Sequence, residues 1–366
     1  MFPVLASAQI NTDRVMAIGR NALYFEDYVL SIQYFNQVIN AKPYLSDPYF
    51  YRGLAKINLD DFQGAESDCS EAIERNPFVV SAYQVRGLAR IQQNNFAGAI
   101  EDYTKALEFD PENIGVWHNM ALCRIRQEDY KGAKNDLDKL IAISPRYTKA
   151  YLMRGEVDLK QKDTLAAEKD FGKAIEIDRY DADTWASRAI LRLQQQRYKD
   201  AEADFDHAIR LSTRNSGVYI NRALARYHQN NLRGAMSDYD IALDIDPNNF
   251  IGHYNRGLLR AQVGDDNRAI QDFNFVIEME PDNMMAIFNR GLLLDQTGDY
   301  KGAIKDYSTV INEYPNFLLG YQYRAQARRK IGDVKGADAD EFKVLKAQLD
   351  KQNGVDPNKQ TADNTE

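Results

Sequence analysis

The sequence predicts an all-α fold, an α-solenoid of tandem antiparallel helix hairpins. Three observations carry that reading. Proline recurs every 34 residues, at Pro43, Pro77, Pro111 and Pro145 and again at Pro247, Pro281 and Pro315, with Arg179 and Thr213 at the two skipped places. Alanine recurs at the same interval from Ala65 to Ala337, and a glycine or alanine does so from Gly19 to Ala325. A fixed period of this length marks stacked helical hairpins, each able to bury its apolar face only against its neighbours.

With each proline placed at position 32, ten repeats begin at Thr12, Ser46, Val80, Ile114, Thr148, Ala182, Ser216, Phe250, Met284 and Leu318. Position 20 is alanine in all but the first repeat, which has Ser31. Position 8 is glycine or alanine throughout. Small residues at both places let two helices approach closely, because side-chain bulk sets the interaxial distance. Bulky rings stand beside them, at position 4 (Tyr49, Tyr83, Trp117, Tyr151, Trp185, Tyr219, Tyr321) and position 24 (Phe35, Tyr103, Phe171, Phe205, Tyr239, Phe273, Tyr307). Asp or Asn at position 16 (Asp61, Asn95, Asp129, Asp163, Asn231, Asp265, Asp299, Asp333) supplies the N-cap of the second helix. The proline ends that helix.

This pattern resembles the tetratricopeptide repeat over residues 12–351. The resemblance implies a right-handed superhelix that binds proteins and has no catalytic residues of its own. Two departures stand out. Position 7 is arginine in eight repeats (Arg52, Arg86, Arg154, Arg188, Arg222, Arg256, Arg290, Arg324), and position 23 is aspartate in nine, from Asp68 to Asp340. Every repeat with the arginine has the aspartate, whereas the fourth has Met120 with Asp136. A ladder of structural ion pairs is expected, within a repeat or between neighbours.

A single core rarely grows past about 300 residues before splitting into domains, but an array escapes that limit. One elongated array is therefore expected. The net charge of −8 argues against nucleic acid as a partner. No apolar run approaches the length of a membrane span. Cys69 and Cys123 are separated by the whole third repeat, too far for a disulfide, and are expected as two reduced, buried thiols. Residues 1–11 read as a signal-peptide remnant or N-terminal extension, with Ala6-Ser7-Ala8 in the form of a processing site before Gln9. That places the protein in the periplasm or cell envelope of a Gram-negative bacterium; without export it is cytoplasmic. The tenth repeat has Leu349 in place of proline, so its second helix should run from Val334 to about Asn353 and cap the array with a polar outer face. Residues 352–366 form a polar tail that reads as disordered.

In the family, positions 2, 5, 6, 9, 12 and 13 line the concave groove. Position 6 is Asn119 in the fourth repeat and Asn221, Asn255 and Asn289 in the seventh to ninth. The run is similar to the asparagine ladder of the O-GlcNAc transferase superhelix, which grips an extended peptide by its main chain. One amide offers an acceptor and two donors, enough for both backbone groups of a strand-like ligand. Ile220, Tyr254 and Phe288 at position 5, and Ile251, Met285 and Leu319 at position 2, give the same stretch an apolar floor. A structural role for the asparagines, bonding a neighbouring side chain across the groove, remains the alternative. The family's two-carboxylate clamp is absent, since position 5 never carries lysine and position 6 never arginine.

The four histidines fall at unrelated positions with no metal-ligand spacing, and no glycine-rich phosphate loop follows a strand. No cofactor, metal or enzymatic activity is expected. The sequence reads as a protein-interaction scaffold holding an extended peptide or partner helix. The alternative is the substrate-gripping array of a larger enzyme or sensor. The sequence leaves the oligomeric state open.

Overall fold

The computed structural model describes residues 11–352; the proposed processing site and polar tail lie outside them. Among the described residues every regular element is an α-helix, twenty in all. The chain divides into an N-terminal body, residues 1–187, and a C-terminal body, residues 188–366. In the first, α1 (Thr12–Tyr24) and α2 (Tyr28–Ala41) form the first hairpin, followed by α3 (Asp47–Ile57) and α4 (Phe62–Arg75), then α5 (Val80–Gln92) and α6 (Phe96–Phe109). Two more hairpins follow: α7 (Ile114–Arg126) with α8 (Tyr130–Ile143), and α9 (Thr148–Lys160) with α10 (Thr164–Ile177). The division falls inside α11 (Ala182–Gln194), which precedes α12 (Tyr198–Leu211). The C-terminal body continues with α13 (Ser216–His228) and α14 (Leu232–Ile245), then α15 (Phe250–Gln262) and α16 (Asp266–Met279). It ends with α17 (Met284–Thr297) and α18 (Tyr300–Glu313), then α19 (Leu318–Lys330) and α20 (Val334–Gln352).

The predicted hairpins are all present, and the small residues explain their closeness. A Cβ added at Gly155 would stand 2.5 Å from the Phe171 ring, and one at Gly87 2.8 Å from the Tyr103 ring. Position 8 is small because the position-24 ring of the same repeat occupies that space. The second helices start on the predicted caps: the side chains of Asp61, Asp129 and Asp299, for example, each accept from the backbone N–H three residues on. Asp265 makes no cap hydrogen bond, and neither does Arg197, which holds the same position before α12. Just before each cap, position 15 is left-handed in every repeat, from Glu26 (φ 62°) to Gly332 (φ 81°), yet only the last three repeats place glycine there. In four repeats position 4 (Trp117, Tyr151, Trp185, His253) ties the repeat to the connection before it. The Trp117 and Trp185 indoles donate to the carbonyls of Pro111 and Arg179 at 2.8 and 2.9 Å.

The arginine ladder settles within repeats. Each of the eight arginines clasps the aspartate of its own repeat; Arg222 reaches Asp238 at 2.9 and 2.6 Å, and Arg290 reaches Asp306 twice at 2.7 Å. In seven of the eight the remaining nitrogen reaches back to position 25 of the preceding repeat, as in Arg52 to Asn36, Arg86 to Ser70, Arg154 to Asp138 and Arg256 to Asp240, whereas the residue at that position before Arg188 is Gly172. Each such guanidinium therefore joins three helices. A second cation, at position 11, closes on the same carboxylate in most repeats, as Arg226 does on Asp238 and Arg260 on Asp272. The fourth repeat is the defect. Met120 is buried where the guanidinium would be, and Asp136 keeps only Arg124, with Oδ2 buried and unpartnered.

Cys69 and Cys123 are free and buried; burial pushes the thiols up to about 12 and about 11. The final helix runs on as expected, but its outer face is not polar: Phe342, Leu345 and Leu349 are exposed along it.

Candidate functional site

In the C-terminal body, α13, α15, α17 and α19 carry the groove positions of repeats seven to ten. The ladder fixes how each helix is turned. Arg222, Arg256 and Arg290 are held bidentately by Asp238, Asp272 and Asp306, and the small residue that follows each arginine packs on the second helix. The residue before the arginine is position 6, so Asn221, Asn255 and Asn289 stand at one register on successive helices. All three are half-buried.

Their amides are not in the same state. Asn289 donates to the Tyr254 hydroxyl of the preceding repeat at 3.2 Å. No hydrogen bond engages the Asn221 or Asn255 side chain among the described residues. One rung is bonded to the preceding repeat, and two have no side-chain hydrogen bond among the described residues. Asn119 lies in the N-terminal body on α7, half-buried, with Val85 and Met153 at the same position of the adjoining repeats. It belongs to no run.

The apolar residues also divide into two sets. Ile220 and Phe288 are buried, Ile220 among Ala223, Tyr239 and Leu259, and Phe288 among Tyr307, Ile311 and Phe317. They fill joints between repeats. Tyr254 is half-buried, edge-on to Phe273. Those at position 2, Ile251, Leu319 and Met285, are exposed, the last 61%, and so is Leu258 at position 9. Positions 2, 5, 6 and 9 of repeats seven to nine carry no charged residue. Beside Met285 a cavity of about 370 Å³ opens between connections, lined by Met284, Phe288, Val310, Tyr314 and Phe317, with Asp282 and Asn283 at the rim. Tyr314, Phe317 and the position-11 cations escaped the sequence reading. Their only signal was the period itself, at positions that the family pattern leaves open.

Among the described residues no group of three or more His, Cys, Asp or Glu is placed to hold a metal ion. No described helix is long and apolar enough to cross a membrane.

Profiles of the tetratricopeptide repeat match residues 114–147, 148–181, 187–250 and 254–316, and a TPR repeat profile matches 87–123. The chain belongs to the tetratricopeptide-repeat family. Solved structures similar to it include a tetratricopeptide repeat protein from Parabacteroides merdae, at 21% identity and TM-score 0.52, covering 68% of this chain and 98% of that one. Pseudomonas aeruginosa pilF is similar at 19% identity and TM-score 0.50, covering 59% and 97%. YrrB, described as a TPR protein with an unusual peptide-binding site, is similar at 20% identity and TM-score 0.42, covering 50% and 95%. No curated protein matches. The first two likenesses support the fold alone, and the family's general role is as a scaffold for protein interaction.

Proposed function

We propose that the protein is a non-catalytic scaffold that binds an extended, largely uncharged peptide along repeats seven to ten. The observation that supports this most is the pair of open, half-buried amides, Asn221 and Asn255, above a floor with exposed Ile251, Met285 and Leu319 and no charge at positions 2, 5, 6 and 9 of repeats seven to nine. The amides grip the ligand main chain. Hydrogen bonds of this kind contribute about 0.5–1.5 kcal/mol each, so the apolar floor supplies much of the affinity. A charged ligand side chain would lose water there and gain no partner.

The test is a peptide-array selection on the full chain, repeated with Asn221, Asn255 and Asn289 all changed to Ala. The triple variant should keep its helical content and lose at least about tenfold in affinity, roughly 1.4 kcal/mol. A folded triple variant with undiminished binding would overturn the groove. The same groove could serve as the substrate-gripping part of a larger enzyme, which a catalytic domain in the same reading frame would establish. The Ala6-Ser7-Ala8 segment supports export to a Gram-negative envelope. A mature protein beginning at Gln9 is expected there, and an intact leader on the native protein refutes it.

A further inference from the structure

The two ends of the array differ in chemistry. At internal joints the position-28 side chain of one repeat packs on the first helix of the next, as Ile73, Leu107, Ile141 and Ile277 do. The incoming helix brings small or aliphatic residues at positions 3 and 10, such as Ala150 with Val157 and Ala286 with Leu293. Leu345 is the position-28 residue of the last repeat and is 53% exposed. Phe342 and Leu349, also exposed, extend it into one stripe. In α1, positions 3 and 10 are Arg14 and Asn21, both exposed. End-to-end stacking of copies, α1 on α20, would bury a guanidinium and an amide without partners. Residues 353–366 carry Val355 as their only large apolar side chain, no match for three exposed ones.

The spacing of the stripe points to a different occupant. Phe342, Leu345 and Leu349 follow the alternating three- and four-residue steps of a coiled-coil seam. With Phe342 and Leu349 at a and Leu345 at d, Glu341 falls at g and Lys346 at e. In a parallel two-stranded pair, a g residue faces the e residue five places on in the other strand. Opposite charges then meet on both flanks, whereas an antiparallel pair would set Lys346 against its own copy. Glu341 is exposed, and among the described residues it is held by the exposed Arg329.

We propose that α20 is a self-association helix. It pairs in parallel with α20 of a second copy about a two-fold axis along the seam, with Glu341 of each copy facing the partner's Lys346. The seam is short, about three residues per strand, so association is weak and reversible, well below the area of a standard interface.

Sedimentation of the full chain over about a hundredfold range of micromolar concentrations is the test. The weight-average mass should rise from the 41.9 kDa of one chain towards twice that value. Leu345→Cys should oxidise to a disulfide-linked dimer, because a seam residue meets itself across the axis. Lys343→Cys, on the opposite side of the helix, should not. Glu341→Lys should weaken the dimer, and adding Lys346→Glu should restore it, with helical content unchanged in both. A constant monomer mass overturns the proposal. So does a Leu345→Cys chain that stays unlinked, or a charge swap that fails to restore association.

Discussion

Replacing Asp136 with Asn should stabilise the protein at pH 8, although the same change elsewhere in the ladder destabilises it. In the folded chain burial pushes the Asp136 carboxyl up to about 7, against the lowering effect of Arg124. In an unfolded chain it titrates near 3.9. The folded form therefore holds a proton that the unfolded form has released. Stability is greatest below about pH 4, falls as pH rises towards 7, and is level above that. A gap of about three pH units corresponds to roughly 4 kcal/mol at most. Asn keeps the shape and removes the charge. The variant should gain up to that amount at pH 8, the attraction to Arg124 being already contained in the net shift, and almost nothing at pH 4. Asp204 is the control: Arg188 clasps it bidentately and Arg192 adds a third contact. Asp204→Asn should cost about 3–5 kcal/mol, since it removes the carboxylate charge that two part-buried guanidinium groups share. Long arrays unfold in parts, so the assay is native-state hydrogen exchange of the α8 and α12 amides between pH 5 and 8. An Asp136→Asn variant that loses as much protection at pH 8 as Asp204→Asn would refute the reasoning.

Lys162 holds a left-handed φ of 64°, and Lys162→Gly should raise stability by about 0.5–1 kcal/mol, read as a higher melting temperature. Asp299 caps α18 through Gly302 N–H, whereas Asp265 caps nothing. Asp299→Ala should therefore cost about 1 kcal/mol in a urea titration, and Asp265→Ala close to none.

Most of the fold was legible because a repeat shows the same constraint ten times over. Small position 8 against the ring at position 24 is a two-body packing rule, and the sequence carries both bodies. The partner of each ladder arginine was not legible, because two aspartates at equal height differ only in three dimensions. The structure shows that the arginine uses its own repeat's aspartate and spends its spare nitrogen on the repeat before. Position 15 was hidden by side chains such as Glu128 and Lys162, which adopt φ near 60° under the pull of the surrounding helices rather than by preference. The floor of the groove was only half legible. Family positions named Ile220 and Phe288, but whether a side chain on the inner helix faces solvent or the next hairpin depends on helix rotation. Both turned inward, while Ile251, Met285 and Leu319 stayed open. The apolar face of α20 was missed because its length invited a capping interpretation.

The back-reaching nitrogen of the ladder has a consequence for how such a gene can change. Its acceptor at position 25, such as Asn36, Ser70, Asp138 or Asn274, is any short side chain bearing an oxygen, and only the joint after Gly172 lacks one among the eight. Where donor and acceptor chemistry match at successive joints, unequal crossover between one hairpin's coding segment and another's leaves a satisfied seam. The array can gain or shed whole hairpins by recombination, without a compensating substitution at the new boundary.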